Sequence, residues 1–275
     1  MPTSEIFGGD NAESFYDEGL TASLTGDVSA AAMHFESAIR LDTSMAAAYH
    51  QLGKCYARLG QVKRAVDILG QVTRKRPKLS AARIDLGSTL LQIGNYEGAK
   101  NSFQHVLNTE PGNAKALVGL AATEFAEGSW DAALEHAGNA QVEGGANFAT
   151  LFMLGRAAKL TGDAELSRSS LEKADKLIEK YQEMNEEKPE GNYLRGEIAF
   201  VGENFPKALE FYRNAEDRIK PGRFYIAYGE SFGIVDILAK QGLCYQRLEN
   251  MDRAREIGER IRKMNPDHPI CKALL

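Results

Sequence analysis

The sequence predicts an all-α fold in which one helical hairpin is repeated along the chain, and two observations indicate it. The first is a series of glycines that stand 34 residues apart, namely Gly26, Gly60, Gly94, Gly128 and Gly162. The second is the apolar pattern within one period, which has i, i+3, i+4 and i+7 spacing on both sides of the glycine. Because glycine commonly ends a helix, each period is predicted to hold two antiparallel helices joined by a tight turn.

A second series of small residues runs in the same register. Counted from Ala12 as position 1, position 8 is occupied in successive periods by Gly19, Gly53, Gly87, Ala121 and Gly155. Small residues here and at position 20 are expected to let the two helices of a hairpin approach closely. Larger residues at positions 24 and 27 are expected to fill the space behind them.

The period from Ala46 to Leu79 shows the pattern most fully. Its pattern residues are Tyr49, Leu52, Gly53, Tyr56, Ala65, Leu69, Val72 and Pro77. They resemble the tetratricopeptide repeat, W-x2-L-G-x2-Y followed by A-x3-F and then P. The resemblance extends over roughly residues 12–268. It implies a right-handed α-solenoid, or superhelix, of about seven helix–turn–helix repeats that acts as a protein-interaction adaptor or scaffold.

The repeats divide the chain into three predicted parts. Residues 1–11 form a polar leader that ends in a helix cap at Asp10 or Asn11. Residues 12–181 form five contiguous repeats, and residues 182–275 hold two displaced ones. The displaced repeats occupy 189–222 and 235–268, with insertions at 182–188 and 223–234, a long second helix at about 164–187 and a short C-terminal tail. Glu203 and Glu249 replace the turn glycine in the displaced repeats, so we expect their turns to differ.

Composition limits the classes of partner. The net charge of −5 disfavours nucleic acid, and the basic run at residues 74–78 is interpreted as favourable charge at a helix C-terminus. No apolar stretch approaches the roughly 18 residues that span a bilayer, and residues 1–11 lack the pattern of a secretory signal. Cys55, Cys244 and Cys271 form no CxxC pair, so we expect a cytoplasmic protein.

One motif suggests catalysis, and its context argues against it. Residues 229–233 match G-x-S-x-G, the nucleophile elbow of serine hydrolases, with Ser231 as the nucleophile. An elbow requires a mostly parallel sheet, which this sequence does not predict. We interpret Ser231 as a helix cap in an insertion and keep hydrolysis as a remote alternative. The histidines are scattered singly, so neither an enzyme nor a metal or cofactor site is expected.

The resemblance implies that the first helix of each repeat lines a concave groove through positions 2, 5, 9, 12 and 13. The core face of that helix already has apolar residues at positions 4, 7, 8 and 11. Further apolar residues in the middle of the groove therefore predict a surface for an apolar peptide or an amphipathic helix. The residues predicted to line it are Ile84, Leu91, Val118, Phe125, Phe152, Met153, Tyr193 and Phe200.

Two other interpretations of the apolar residues remain open. The insertion at 223–234 could fold into the groove and cover it with its aromatic side chains. The chain could also form oligomers, either through the groove or end to end. In the end-to-end arrangement, Ile270, Leu274 and Leu275 would leave an apolar end that contacts Leu20 and Leu24 of the next copy.

Overall fold

The structure, a computed structural model, describes residues 11–227 and 230–275, with the side chains of residues 226, 227, 230 and 231 excepted. The described residues form seven helical hairpins and two short additions, a β-hairpin and a C-terminal helix. The helices of hairpins 1 to 4 are α1 (Ala12–Leu24), α2 (Val28–Leu41), α3 (Ala46–Arg58), α4 (Val62–Lys75), α5 (Ser80–Gln92), α6 (Tyr96–Leu107), α7 (Ala114–Glu127) and α8 (Trp130–Gly144). Those of hairpins 5 to 7 are α9 (Phe148–Thr161), α10 (Ala164–Glu183), α11 (Glu190–Val201), α12 (Phe205–Glu216), α13 (Ile234–Arg247) and α14 (Met251–Met264). The predicted all-α repeat fold of the solenoid class is confirmed.

The chain divides into two compact units, and each is described by itself. Unit 1 ends at Thr109 and contains hairpins 1 to 3. Unit 2 is Glu110–Leu275 and contains hairpins 4 to 7. The predicted division at 181 and 182 follows the sequence repeats and stays a prediction. No helix among the described residues combines the length and the apolar character that a membrane crossing requires.

The turn within each hairpin is built on one left-handed residue. Gly60 and Gly162, for example, have φ values of 71° and 87°, which glycine adopts without steric cost. Glu203 and Glu249 occupy the same place in hairpins 6 and 7 with φ values of 60° and 56°. The expectation that these two turns differ is therefore wrong: the backbone keeps the left-handed residue although the glycine is lost.

The core of most hairpins depends on a glycine that faces a large side chain. A Cβ atom added at Gly87 would lie 2.8 Å from the Phe103 ring, and one added at Gly196 would lie 2.5 Å from the ring of Tyr212. Both rings are fully buried. The helices can pack this closely only because no side chain stands between them. Hairpin 4 reaches a similar fit in another way, since Ala121 and Ala137 are both small and both buried.

Hairpin 7 has glycine on both sides, and the C-terminal helix α15 (Cys271–Leu274) fills the gap. Cβ atoms added at Gly242 and Gly258 would lie 2.5 Å and 2.9 Å from atoms of Leu274. Leu274 is 2 % exposed, although Leu275 is 46 % exposed. The expectation of an uncovered apolar C-terminus is therefore wrong for Leu274, because that side chain packs into its own last hairpin.

The two predicted insertions take different forms. Helix α10 extends into the first insertion, 182–188, and ends at Glu183, four residues before its predicted end. In the second insertion, β1 (Tyr225–Ala227) pairs antiparallel with β2 (Glu230–Phe232), with Tyr225 opposite Phe232. Ser231 lies in β2 and is not a helix cap, since α13 begins after Gly233, whose N–H donates to the Asp236 carboxylate at 2.8 Å. Residues 1–10 of the predicted leader lie outside the described residues. Asn11 caps α1, because its Oδ1 accepts a hydrogen bond from the N–H of Ser14 at 2.8 Å.

Candidate functional site

In unit 1 the predicted groove residues lie on α5 beside polar side chains. Ile84 and Leu91 are both half-buried. Next to Ile84, the carboxylate of Asp85 lies 2.7 Å from Nε2 of His50 on α3. This hydrogen bond links the first helices of hairpins 2 and 3. The A helices of unit 1, meaning the first helices of its hairpins, therefore present a mixed apolar and polar surface.

In unit 2 the groove residues of α7 stand at the edge of a small core. Val118 and Phe125 are half-buried and pack against the cluster that contains Met153 and Leu154. The guanidinium carbon of Arg156, on α9, lies 4.5 Å from the centre of the Phe125 ring. A cation over an aromatic face is attracted by the ring quadrupole, so Arg156 and Phe125 hold each other in place.

Three of the eight predicted groove residues are buried within unit 2. Phe152, Met153 and Tyr193 are 6 %, 4 % and 5 % exposed. The Phe152 ring stacks on Phe148 at a centroid distance of 5.1 Å. Tyr193 stacks on Phe232 of β2 at 4.0 Å with the planes 4° apart. The insertion thus covers the A helix at Tyr193, as expected if residues 223–234 fold into the groove. Phe152, Met153 and Tyr193 therefore do not belong to an exposed surface.

Phe200, on α11, remains half-buried and is flanked by charge. Its ring meets Phe205 edge to face at 5.4 Å, and Nζ of Lys240 lies 5.6 Å from its centre. Lys240 is fixed by the carboxylate of Glu197 at 2.7 Å. The other oxygen of that carboxylate accepts a hydrogen bond from the Tyr212 hydroxyl at 2.6 Å. The ammonium beside Phe200 is therefore held by a buried network.

The described A-helix face of unit 2 thus combines apolar and cationic groups, and we call Val118, Phe125, Phe200, Arg156 and Lys240 the A face. The apolar members were predicted from the sequence. The two cations were missed, although Arg156 stands at position 9 of its repeat, one of the positions that the family resemblance places in the groove. A surface of this kind can hold an apolar segment and attract carboxylates next to it.

The described residues offer little to covalent chemistry. Burial raises the pKa of the Cys55 thiol to about 11 and that of the Cys244 thiol to about 12, so both are protonated and unreactive near neutral pH. No three metal-ligating side chains come together in the described part of the chain. Two parts of the G-x-S-x-G motif, Gly229 and the side chain of Ser231, lie outside the described part of the structure. The backbone of Ser231 belongs to an antiparallel strand, not to the strand-to-helix turn that an elbow requires.

Comparisons with known proteins agree with the helical-repeat fold. Two family models, both described as tetratricopeptide repeat, match the chain at residues 24–87 and 90–140 and at residues 159–223, which together are more than half of it. No curated protein sequence matches the chain.

Solved structures show a similar fold at low identity. A tetratricopeptide repeat protein from Parabacteroides merdae is 14 % identical, with 97 % of this chain and 98 % of that chain covered and a TM-score of 0.59. MamA from Desulfovibrio magneticus is 22 % identical, with 63 % and 98 % covered and a TM-score of 0.53. The Cut9–Hcn1 hetero-tetramer of the APC/C is 16 % identical, with a TM-score of 0.61, and there 94 % of this chain spans 48 % of the matched chain.

Proposed function

The chain belongs to the tetratricopeptide repeat family, and we propose that it is a non-enzymatic adaptor that binds a protein segment on the A face of unit 2. The family's fold is that of a protein-interaction scaffold. The observation that carries the finer proposal is the set of half-buried apolar side chains on α7 and α11 that the hairpin cores leave accessible. Val118, Phe125 and Phe200 make up this set.

The chemistry of the A face selects the occupant. Arg156 and Lys240 lie over aromatic rings and would meet carboxylates of a bound segment, while the rings would meet its apolar side chains. We therefore propose an amphipathic helix or extended peptide that carries apolar residues next to acidic ones. Burial of one such side chain contributes about 1.5–3 kcal/mol before ordering and association costs. Three anchors are compatible with micromolar binding, about 8 kcal/mol.

The remaining predicted groove residues have different places in the proposal. Ile84 and Leu91 of unit 1 are proposed as contacts of the same kind on their own unit. Phe152, Met153 and Tyr193 support the A face from beneath through packing. Homo-oligomerisation and a cytoplasmic location stay predictions, and the hydrolase alternative is not retained because the elbow geometry has no support.

The test uses a double variant, Phe125→Ser with Phe200→Ser, against Leu177→Ala as the matched control. Leu177 lies on α10 and is 40 % exposed, so its truncation removes exposed apolar surface outside the A face. Proteins captured by the wild-type chain are identified, and their affinity for each variant is measured by titration calorimetry. We expect the double variant to bind about tenfold or more weakly, while far-UV circular dichroism shows unchanged helical content. Equal affinity for the wild type and the double variant would remove the A face as the site.

A further inference from the structure

Hairpin 2 differs in charge from the hairpins around it. Residues 46–79 carry eight cationic side chains and one carboxylate, in a chain whose net charge is −5. The cations are Lys54, Arg58, Lys63, Arg64, Arg74, Lys75, Arg76 and Lys78. The preceding period, residues 12–45, holds Arg40 as its sole cation and six carboxylates. Unit 1 thus concentrates positive charge on one hairpin.

Four of these cations are gathered where α4 ends. Arg74, Lys75, Arg76 and Lys78 are exposed, and none of them makes an ion pair with a described residue. The helix dipole favours cations at this end of a helix and accounts for one or two of them. The last turn of α14 holds two basic residues, as does the last turn of α4, but in α4 the chain adds Arg76 and Lys78 directly after the helix. The cluster on α4 exceeds what the end of a helix requires.

Beside the cluster lies a groove between α4 and α5. It has a volume of about 440 Å³, with an apolar lining of Val66, Gly70, Leu86 and Leu90 and a polar lining of Asp67, Gln71 and Arg74. Leu86 is half-buried. The leucines at the same repeat position in hairpins 2 and 4, Leu52 and Leu120, are both 4 % exposed. The groove therefore exposes a leucine that other hairpins bury.

The groove has a local cause in the sequence. Gly70 stands 34 residues after Glu36, and the Glu36 side chain reaches across to the next hairpin, where its carboxylate accepts a hydrogen bond from the Tyr56 hydroxyl. At Gly70 no side chain makes the equivalent crossing to α5. Arg74 instead folds back along α4, so that its Nη1 would lie 3.4 Å from a Cβ atom added at Gly70. Arg74, which makes no ion pair with a described residue, thus stands at the edge of the groove beside its apolar lining.

We propose that this α4–α5 groove is a second docking surface, which binds an acidic protein segment with one apolar side chain over Gly70 and carboxylates against Arg74 and the cations after it. Charge complementarity selects the partner. The groove has room for a side chain, and it has no aromatic lining on which bases could stack. Asp67 on the groove wall repels anions, so we expect the carboxylates of the segment only at the Arg74 end, and a continuous polyanion such as a nucleic acid backbone is disfavoured. The proposal uses different residues from the A face and does not depend on it.

Fluorescence polarisation of the full chain with labelled hexapeptides tests the proposal. The probes carry one leucine or phenylalanine flanked by aspartate and glutamate. The competitors are polyglutamate, oligothymidylate and phosphatidylserine vesicles. We expect the apolar-acidic hexapeptides to bind, polyglutamate to bind more weakly, and binding to fall as ionic strength rises.

Two pairs of variants locate the site. Gly70→Leu fills the groove and should abolish binding, while Gly70→Ala, which adds only a methyl group, should retain it. Arg74→Glu with Arg76→Glu should weaken binding about tenfold or more. Arg262→Glu with Lys263→Glu makes the same change at the end of α14 and should leave binding unchanged.

Each other outcome overturns the proposal. Binding of no hexapeptide, or equal binding by Gly70→Leu and the wild type, excludes the groove. If both charge-reversal pairs lose the same amount of binding, the net charge of the chain accounts for the loss and no local site is needed. Preferential binding of oligothymidylate or of the vesicles, with the same loss in the Arg74 and Arg76 variant, assigns the cations to a nucleic acid or a membrane instead. Because the A face is proposed to bind segments of similar chemistry, all of these variants are made in a chain that already carries Phe125→Ser and Phe200→Ser, and this chain replaces the wild type as the reference. Binding that remains in it is assigned to the α4–α5 groove, which separates this result from the A-face test.

Discussion

At the scale of single residues, the hairpins are held together by pairs whose volumes compensate. Gly19, Gly53, Gly87, Gly155 and Gly196 each face one large side chain, at distances that leave no room for a Cβ atom. Where the large partner is reduced to Ala137, the facing residue is Ala121. The period of small residues in the sequence thus records a packing constraint between the two helices of one hairpin.

The pair formed by Gly196 and Tyr212 gives the sharpest prediction. Gly196→Ala would place a methyl group 2.5 Å from the ring of Tyr212, which is fully buried and hydrogen-bonded to Glu197, so the ring cannot move freely. We expect the free energy of unfolding to fall by about 1–3 kcal/mol. Urea denaturation measures it.

The matched control is Gly138→Ala. Gly138 is also helical, but an added Cβ atom there meets no atom within 4 Å. Its replacement should raise the free energy of unfolding by up to about 1 kcal/mol through helix propensity. If both variants change stability in the same direction, close packing is not the reason for the glycine at position 196.

At the scale of elements, two additions to the repeats complete unit 2. The β-hairpin places Phe232 on Tyr193, and α15 places Leu274 between Gly242 and Gly258. In both cases one apolar side chain from outside the repeat closes a gap that the repeat leaves open. We therefore expect hairpin 7 to depend on α15 for stability, because a repeat hairpin is stabilised by the element that packs on it.

Truncation of Leu274 tests the role of α15. Leu274→Ala should lower the free energy of unfolding by about 2–5 kcal/mol, because a buried leucine is replaced by a cavity. Lys272→Ala, on the exposed side of the same short helix, should change it by less than about 0.5 kcal/mol. Thermal unfolding followed by circular dichroism compares the two. A small effect of both variants would mean that α15 contributes little to hairpin 7.

At the scale of the whole molecule, several protonated buried groups set an alkaline limit on stability. Burial raises the pKa of Cys55 to about 11 and that of Cys244 to about 12, and it raises the pKa of Tyr212 above its ordinary value. In the unfolded chain these groups lose their protons at lower pH. The stability that these protonated groups contribute is therefore complete below about pH 9, the pKa of a thiol in the unfolded chain. It is lost as the pH rises through the pKa values of the folded chain.

We expect the urea midpoint to hold steady between pH 7 and about 8.5 and to decline steadily above about pH 9. Cys244→Ala removes one of the ionising groups, so the decline of this variant should be shallower than that of the wild type, even if its stability at neutral pH is lower. The midpoints are measured at fixed ionic strength. Parallel declines of the variant and the wild type would show that Cys244 does not contribute to the alkaline limit.

The division into two compact units leads to a prediction about independent folding. Unit 2, Glu110–Leu275, contains four hairpins and α15, and one core cluster extends through hairpins 5 to 7. Since repeat hairpins draw most of their stability from their neighbours, a fragment of residues 110–275 should fold cooperatively. Its helical content per residue and its urea transition are the measurements. A fragment without a cooperative transition would contradict the independence of unit 2.

The amino-acid sequence by itself determined the repeat, the hairpins and their register. These features depend on contacts between residues less than one period apart, such as Gly87 with Phe103, and on turns such as that at Gly60, so a periodic pattern is enough to reveal them. The apolar members of the A face, Val118, Phe125 and Phe200, could be named because the family resemblance assigns certain repeat positions to the groove. The left-handed turn at Glu203 was missed, because the surrounding hairpin imposes that conformation on a residue that does not favour it.

Only the tertiary structure decided which of the predicted groove residues stay accessible. Tyr193 is covered by Phe232, which lies 39 positions away in an insertion without repeat character, and Leu274 is buried between two helices that precede it. Arg156 of hairpin 5 lies over the ring of Phe125 in the neighbouring hairpin 4. Burial and charge at a surface depend on what the rest of the chain places against it, and no periodic pattern encodes that arrangement.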